Sequence, residues 1–395
     1  MEAVQNQKAI RAWTFYDWAN SVYSLVISTA IFPIYYNAIT TTEELGDQVM
    51  FMGMGFTNTA LYDYCMALSF LLIAFASPLL SGLADYSGRK KSFLRRFCYV
   101  GAVACAGLYF FSDADLLWLA LLASMIASIG FWGSQVFYNA YLPELAPKEE
   151  QDAVSAKGYA YGYLGSSILL ILCLVLIEGY EFIGFPDKGE ATRASFLLVG
   201  LWWAGFAQIT FRHLPEPKER RSIHWRTLSN GYKELRRFWK SLSHDPKLKV
   251  FLYGYFFFSM GVQTVILLAS VFGSKELGIS SSGLIITILL IQFVGIAGAY
   301  LFSYLSRKLG NINSLLLAVY VWMAICLAAF LMNKDTPNVD MIFYGIGAFV
   351  GLVLGGIQSQ ARSTYSKMLP KQGEHTTYFS FNDVSEKLAI ALGMF

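Results

Sequence analysis

Charged positions break this chain into long, strongly apolar stretches. Ten uncharged runs stand out, at 18–42, 64–84, 97–112, 116–143, 158–177, 194–211, 250–274, 277–306, 309–333 and 341–361. Nine reach the roughly 18 residues with which a helix crosses a hydrocarbon core of about 30 Å. The 97–112 run is shorter, but Arg95 and Arg96 precede it, and their long stems can snorkel to the interface and lengthen it. Lipid offers a free backbone N–H or C=O no partner, so each run is predicted to be a helix. The short alternating strands of an outer-membrane barrel are not present in the pattern. Residues 1–11 are polar and the first apolar run is already of full span length, so no cleavable leader is expected. An eleventh run opens at Leu388 and reaches the last residue, Phe395, so the chain is expected to stop inside a helix.

Charge then orients the helices. If they alternate in direction from a cytoplasmic N-terminus, 25 of the 30 Lys and Arg residues fall inside and four outside (Lys188, Arg193, Lys275, Lys334), with Lys387 in the last helix. Basic residues are retained on the cytoplasmic side, which predicts an inner or plasma membrane protein with its N-terminus inside. Charged residues make up 14% of the chain, against roughly 25% in a soluble domain, which excludes an ordinary soluble enzyme. The net charge of +3 follows from this topology and does not point to nucleic acid. All five cysteines lie within the apolar runs and all four histidines in cytoplasmic segments. No HExxH, GxSxG or P-loop pattern occurs. No catalytic residue, metal site or cofactor is therefore expected.

The polar stretch 212–249 carries 11 of the 30 basic residues and divides the chain into residues 1–211, with six helices, and 250–395. Within it Trp225, Leu228, Tyr232, Leu235, Trp239 and Leu242 recur at helical spacing, predicting a basic amphipathic helix on the inner leaflet. The halves also echo one another. Leu83, Asp85 and Gly88 after the second helix match Leu305, Arg307 and Gly310 after the eighth at a constant offset, and Asn20-Ser21-Val22 is echoed by Gln263-Thr264-Val265. Parallel six-helix repeats joined by a cytoplasmic loop are the build of a rocker-type secondary transporter.

On these residues the chain resembles the major facilitator superfamily. The loop Ser81-Gly82-Leu83-Ala84-Asp85-Tyr86-Ser87-Gly88-Arg89-Lys90 is similar to that superfamily's G-x-L-A-D-R-x-G-R-K signature, with Ser81 and Tyr86 as departures. The segments 13–21, 137–143, 261–264 and 382–387 resemble its vacuole-effluxer-like branch. The resemblance implies an all-α polytopic fold of two pseudo-repeat six-helix bundles, here truncated after the start of helix eleven. It also implies export of small solutes, amino acids among them. In that fold Asp85 lies near the start of helix eleven, where free N–H groups favour an anion, and with Gly88, Arg89, Lys90 and Arg362 it would form a gate on the cytoplasmic side. Arg89 and Lys90 are expected to reach the headgroups.

The candidate substrate or proton-coupling residues are the polar side chains buried in the runs. Asp17 stands at the inner end of the first helix, with Tyr16, Asn20 and Tyr23 beside it. A charge costs about 2.5–3.5 kcal/mol at a helix centre on insertion scales. Asp17 is thus expected either to carry a proton or contact substrate, or to cap neighbouring backbone. The amides Gln135, Asn139, Gln263, Gln292, Gln358 and Gln360 suit a zwitterionic or neutral polar solute, or hold helices together. Asp383 joins them in helix eleven, where Glu386 and Lys387 can pair and lower the insertion cost. Glycines 347, 351 and 355 in helix ten, and 158 and 162 in helix five, read as packing ridges.

The reading is a secondary transporter of small polar solutes, proton-motive or facilitative, working by alternating access. Its partners are a small-molecule substrate and the lipid bilayer, with protons left open and a monomer expected. The reading left standing beside it is a non-transporting membrane receptor or assembly protein that keeps the fold.

Overall fold

The computed structural model describes residues 2–43, 46–216, 236, 240, 242, 244–370 and 375–394. The amphipathic helix expected around Trp225, Leu228, Tyr232, Leu235 and Trp239 lies outside the described residues. Among the described residues, eleven long helices carry the fold. They are α1 (Glu2–Val22), α2 (Asn58–Ser87), α3 (Lys90–Gly107), α4 (Leu117–Asn139), α5 (Gln151–Glu178), α6 (Lys188–His213), α7 (Pro246–Val271), α8 (Ser281–Leu309), α9 (Asn311–Phe330), α10 (Val339–Met368) and α11 (His375–Met394). Among the described residues, ten helices are long and apolar enough to cross a membrane.

α1 does not stop at Val22. It widens into a π turn over Tyr23–Ala30 and resumes as Phe32–Thr40, with Pro33 in the first turn, where its missing N–H leaves no bond unmade. An antiparallel hairpin follows, β1 (Gln48–Phe51) against β2 (Met54–Thr57), with Val49 opposite Phe56. The hydropathy pattern did not foresee it, because four-residue strands are too short to register an alternation.

α1 packs on α5 and α6, and α3 on α4 and α6, around a core that includes Trp13, Phe137 and Trp203. Beyond the connector α8 and α9 pack on α10, and α7 on α11, around Phe302, Trp322 and Ile357 in one cluster and Phe251 and Tyr365 in another. Lipid tails are as apolar as leucine, so close packing rather than water exclusion holds such helices together. The glycine ridge of α10 supplies it. A Cβ at Gly351 would strike the Ile291 backbone of α8, and one at Gly355 the carbonyl of Gly295. The two bundles meet along two seams, α2 against α11 and α5 against α8 and α10. Both charge clusters described next stand on or beside these seams.

Candidate functional site

The first cluster lies toward the Lys- and Arg-rich face. Asp17 is six residues inside Arg11, and Arg362 six residues inside the end of α10, so each is about 9 Å deep at 1.5 Å per residue. Both are buried, and Arg362 donates from Nη1 to Asp17 Oδ2 at 3.0 Å. The Tyr138 hydroxyl donates to the same oxygen at 2.9 Å. Arg362 also donates from Nε to Ser155 Oγ at 2.9 Å and from Nη2 to the Ser155 carbonyl at 2.8 Å. Its guanidinium lies 4.1 Å from the Tyr159 ring centroid and 4.9 Å from that of Trp13. Gly158 makes the room: a Cβ there would sit 2.5 Å from Asp17 Oδ2 and 2.8 Å from Arg362 Nη2. One cation of the second bundle is thus held by three helices of the first.

Closer to that face the bundles grip one another twice, in pseudo-equivalent places. Asp85, at the end of α2, accepts from the Thr377 backbone N–H at 2.8 Å and from its hydroxyl at 3.0 Å, in the first turn of α11. Asp152, in the first turn of α5, accepts from Ser306 Oγ at 2.8 Å, Asn311 Nδ2 at 2.7 Å and Lys367 Nζ at 2.6 Å. In the first grip the carboxylate belongs to the interhelical turn and the helix start donates. In the second the helix start holds the carboxylate and the region of the α8–α9 turn donates. Glu144 adds a third contact, pairing with Lys90 and lying 3.3 Å from His375 Nδ1. Lys90 therefore departs from the headgroup position expected of it: it is buried, paired with Glu144, and stands 4.0 Å from the Tyr141 ring centroid.

The second cluster is deeper. Asp383 and Lys387 stand eight and twelve residues into α11, roughly 12 and 18 Å from its start. Lys387 Nζ is 3.2 Å from Asp383 Oδ1 and 3.3 Å from Glu386 Oε2, and the lysine is fully buried. Across the seam the Trp132 ring of α4 faces the ammonium at 3.2 Å from its centroid. Gln263 of α7 donates to Glu386 Oε1 at 3.4 Å. Tyr255 of α7 and Tyr159 of α5 also lie near Glu386. Asp383 is 6% exposed, and its Oδ2 has no hydrogen-bond partner among the described residues. Two carboxylates thus share one ammonium.

The remaining candidates divide. Tyr16 and Tyr23 point into the core of the first bundle, Tyr16 against Tyr138 and Phe211, Tyr23 against Phe131 and Trp203. Asn20 is fully buried with both amide atoms unpartnered among the described residues. Gln358 accepts from the Tyr163 hydroxyl at 2.6 Å across the α5–α10 seam, and Gln360 accepts from Asn311 at 3.2 Å beside Asp152. Gln135, Asn139 and Gln292 are half-buried, and no hydrogen bond joins them to either cluster among the described residues. Gly88 ends α2 with a φ of 66°, and Arg89 beside it is half-buried. Asp152, Lys367, Glu144, His375 and Trp132 were not singled out from the sequence.

The family described as vacuole effluxer Atg22 like matches residues 5–395. A relative named as an uncharacterized MFS-type transporter, YxiO, of Bacillus subtilis is 30% identical over 391 residues, covering 98% of this chain and 86% of its own. Autophagy-related protein 22 of Kluyveromyces lactis is 24% identical over 381 residues, covering 87% of this chain and 74% of its own. Among solved structures, the major facilitator superfamily proton:xylose symporter XylE bound to 6-bromo-6-deoxy-D-glucose superposes with a TM-score of 0.69 at 12% identity. That match covers 100% of this chain and 88% of that one.

Proposed function

The chain belongs to the vacuole effluxer Atg22-like family of major facilitator transporters, and on that premise we propose that it moves small polar solutes, zwitterionic amino acids among them, by proton-coupled alternating access. It is an integral multi-pass membrane transporter and not an enzyme. The observation that carries the finer reading is the sharing of Lys387 by Asp383 and Glu386. With both carboxylates ionised, the cluster holds one uncompensated negative charge in the middle of the bilayer. Such a charge is costly there, and a bound proton or a ligand cation removes the cost. A zwitterionic amino acid suits the same groups, its ammonium on the surplus carboxylate and its carboxylate on Lys387. A zwitterion adds no net charge, so the occupied cluster reaches neutrality when one proton accompanies it.

The positive-inside rule supports placing the basic face in the cytoplasm. The ion pairs between bundles, Asp17 with Arg362 and Asp152 with Lys367, then close the cytoplasmic side, and the midplane cluster is loaded from the opposite face. Release requires both ion pairs and the Asp85–Thr377 bonds to break together while the far ends approach. The test is counterflow of labelled neutral amino acids in proteoliposomes, with and without an imposed pH gradient. Counterflow of at least one, with accumulation only under the gradient, is the expected result. Silence across the full set of neutral amino acids would discard the substrate class, and accumulation indifferent to the gradient would discard the proton.

A further inference from the structure

The surroundings of Lys387 describe a seat for a primary ammonium ion that the chain fills with its own side chain. Four features define it. Two carboxylates approach the nitrogen at 3.2 and 3.3 Å from the α11 side. The indole face of Trp132 covers it from the other bundle, 3.2 Å from ring centroid to nitrogen. The lysine is fully buried, while the Asp383 and Glu386 side chains keep exposures of 8% and 19%. Asp383 keeps a buried oxygen, Oδ2, without a partner among the described residues. An aromatic face opposite carboxylates, in a largely buried site, attracts a compact cation. A carboxylate pair built only to neutralise a lysine would need one carboxylate, not two, and would gain nothing from an unpartnered oxygen.

We propose that this seat binds alkylammonium groups and that Lys387 is its tethered occupant, exchanged for the ammonium of an incoming solute. The idea deepens the transport reading and rests on it for its consequence alone: solutes that bear both a primary ammonium and a carboxylate are carried, and their hydroxyl analogues, which lack the ammonium, are not. In exchange, the lysine ammonium moves from Asp383 toward the carboxylate of the solute, and no bond is made or broken. Because Trp132 and Asp383 stand on different bundles, an ammonium held between them ties the bundles together at mid-depth. Its departure loosens that tie.

The test removes the tethered cation and supplies a free one. In Lys387→Ala the lost stem leaves space for n-propylammonium, which restores the missing methylenes and the charge. Thermal unfolding of the full chain in detergent is followed in n-propylammonium chloride, in tetramethylammonium chloride and in sodium chloride at equal ionic strength. Propylammonium at several times its dissociation constant is expected to raise the midpoint of Lys387→Ala by about 2 °C or more over both other salts. It should leave the unsubstituted protein, whose seat is filled, and Lys387→Met, whose stem blocks it, within error of sodium chloride. Equal midpoints in all three salts, or an equal rise in the unsubstituted protein, overturn the proposal. If Lys387→Ala aggregates when extracted in sodium chloride, monodisperse protein obtained by extraction in propylammonium chloride supports the seat, and aggregation in both overturns it. The readout is independent of transport. A null result beside intact amino-acid counterflow removes the seat alone, whereas a clear shift in a protein that transports nothing removes the transport reading alone.

Discussion

Arg362 donates across the seam between the bundles to Asp17, 345 positions away in sequence, at 3.0 Å. Both residues are almost fully enclosed, with side-chain exposures of 4% and 3%. Taking either partner away strands the other as a bare charge in a dry, low-dielectric place, whereas taking both away leaves a neutral contact. Single removals of this kind typically cost about 3–5 kcal/mol, and joint replacement by apolar groups of similar size costs far less. Asp17→Asn and Arg362→Met should therefore each lower the thermal midpoint of the purified protein, and the double variant should recover most of the loss. A double variant as unstable as the sum of the singles would show that the two charges act separately.

Gly158 tests the same contact without touching a charge. Its Cα faces the ion pair, and an added methyl would overlap Asp17 Oδ2 and crowd Arg362 Nη2. The pair must then lengthen or the α1–α5 approach must widen. Gly158→Ala is expected to leave expression intact and to raise the reactivity of a cysteine placed at Ser155, which Arg362 covers, toward a water-soluble reagent. The comparison variant Gly205→Ala, where a Cβ meets open space, should behave as the parent protein.

The two grips near the basic face are not equal. Asp85 takes both of its bonds from one residue, Thr377, while Asp152 gathers Ser306, Asn311 and the ammonium of Lys367. Hydrogen bonds to a carboxylate contribute about 1.5–3 kcal/mol each, so the grip with three donor residues, one of them a cation, is the stronger. Asp152→Ala should thus open the basic side more than Asp85→Ala, and Thr377→Val, which keeps the backbone donor, least of all. Protection of introduced cysteines along α5 and α11 gives the ranking. An effect of Asp85→Ala larger than that of Asp152→Ala would reverse the assignment of the stronger latch.

How much of this could be read from the chain alone follows from the range of each interaction. The spans were legible because the bilayer imposes a length on every apolar run, and the i, i+4 spacing of Asp383 and Lys387 already places them on one helical face. Asp17 and Arg362 each stood out as charges bordering apolar runs. Their pairing did not, since it depends on how α10 meets α1 across the seam. Asp152 stayed hidden among Glu149 and Glu150, because a carboxylate in a basic-side loop carries no mark of its burial. The internal repeat held a clue: the residue matching Asp85 is Arg307, so a second grip built like the first needed its carboxylate from elsewhere. Trp132 had no signal at all, being one aromatic among 64 counted as Trp, Tyr and Phe. Only the facing of α4 and α11 gives it a partner.

Proton coupling depends on which carboxylate is surplus. Asp383 has an oxygen with no partner, whereas Glu386 is engaged by Gln263 as well as Lys387. The proposed coupling therefore puts the proton on Asp383, and the groups facing it and its neighbour are Lys387 on α11, Gln263 and Tyr255 on α7, Trp132 on α4 and Tyr159 on α5. Asp383→Asn mimics the protonated state permanently, so the cluster is neutral in every step of the cycle. Accumulation driven by a pH gradient should fall at least tenfold in this variant, while counterflow, which needs no net proton movement, should persist within about threefold of the parent. Glu386→Gln leaves Asp383 and Lys387 as a balanced pair and should lose the response to the gradient too, but with weaker solute binding, because Glu386 also orients Gln263. Gradient-driven accumulation that survives Asp383→Asn but not Glu386→Gln would move the proton to Glu386. Survival in both would place coupling outside this cluster altogether.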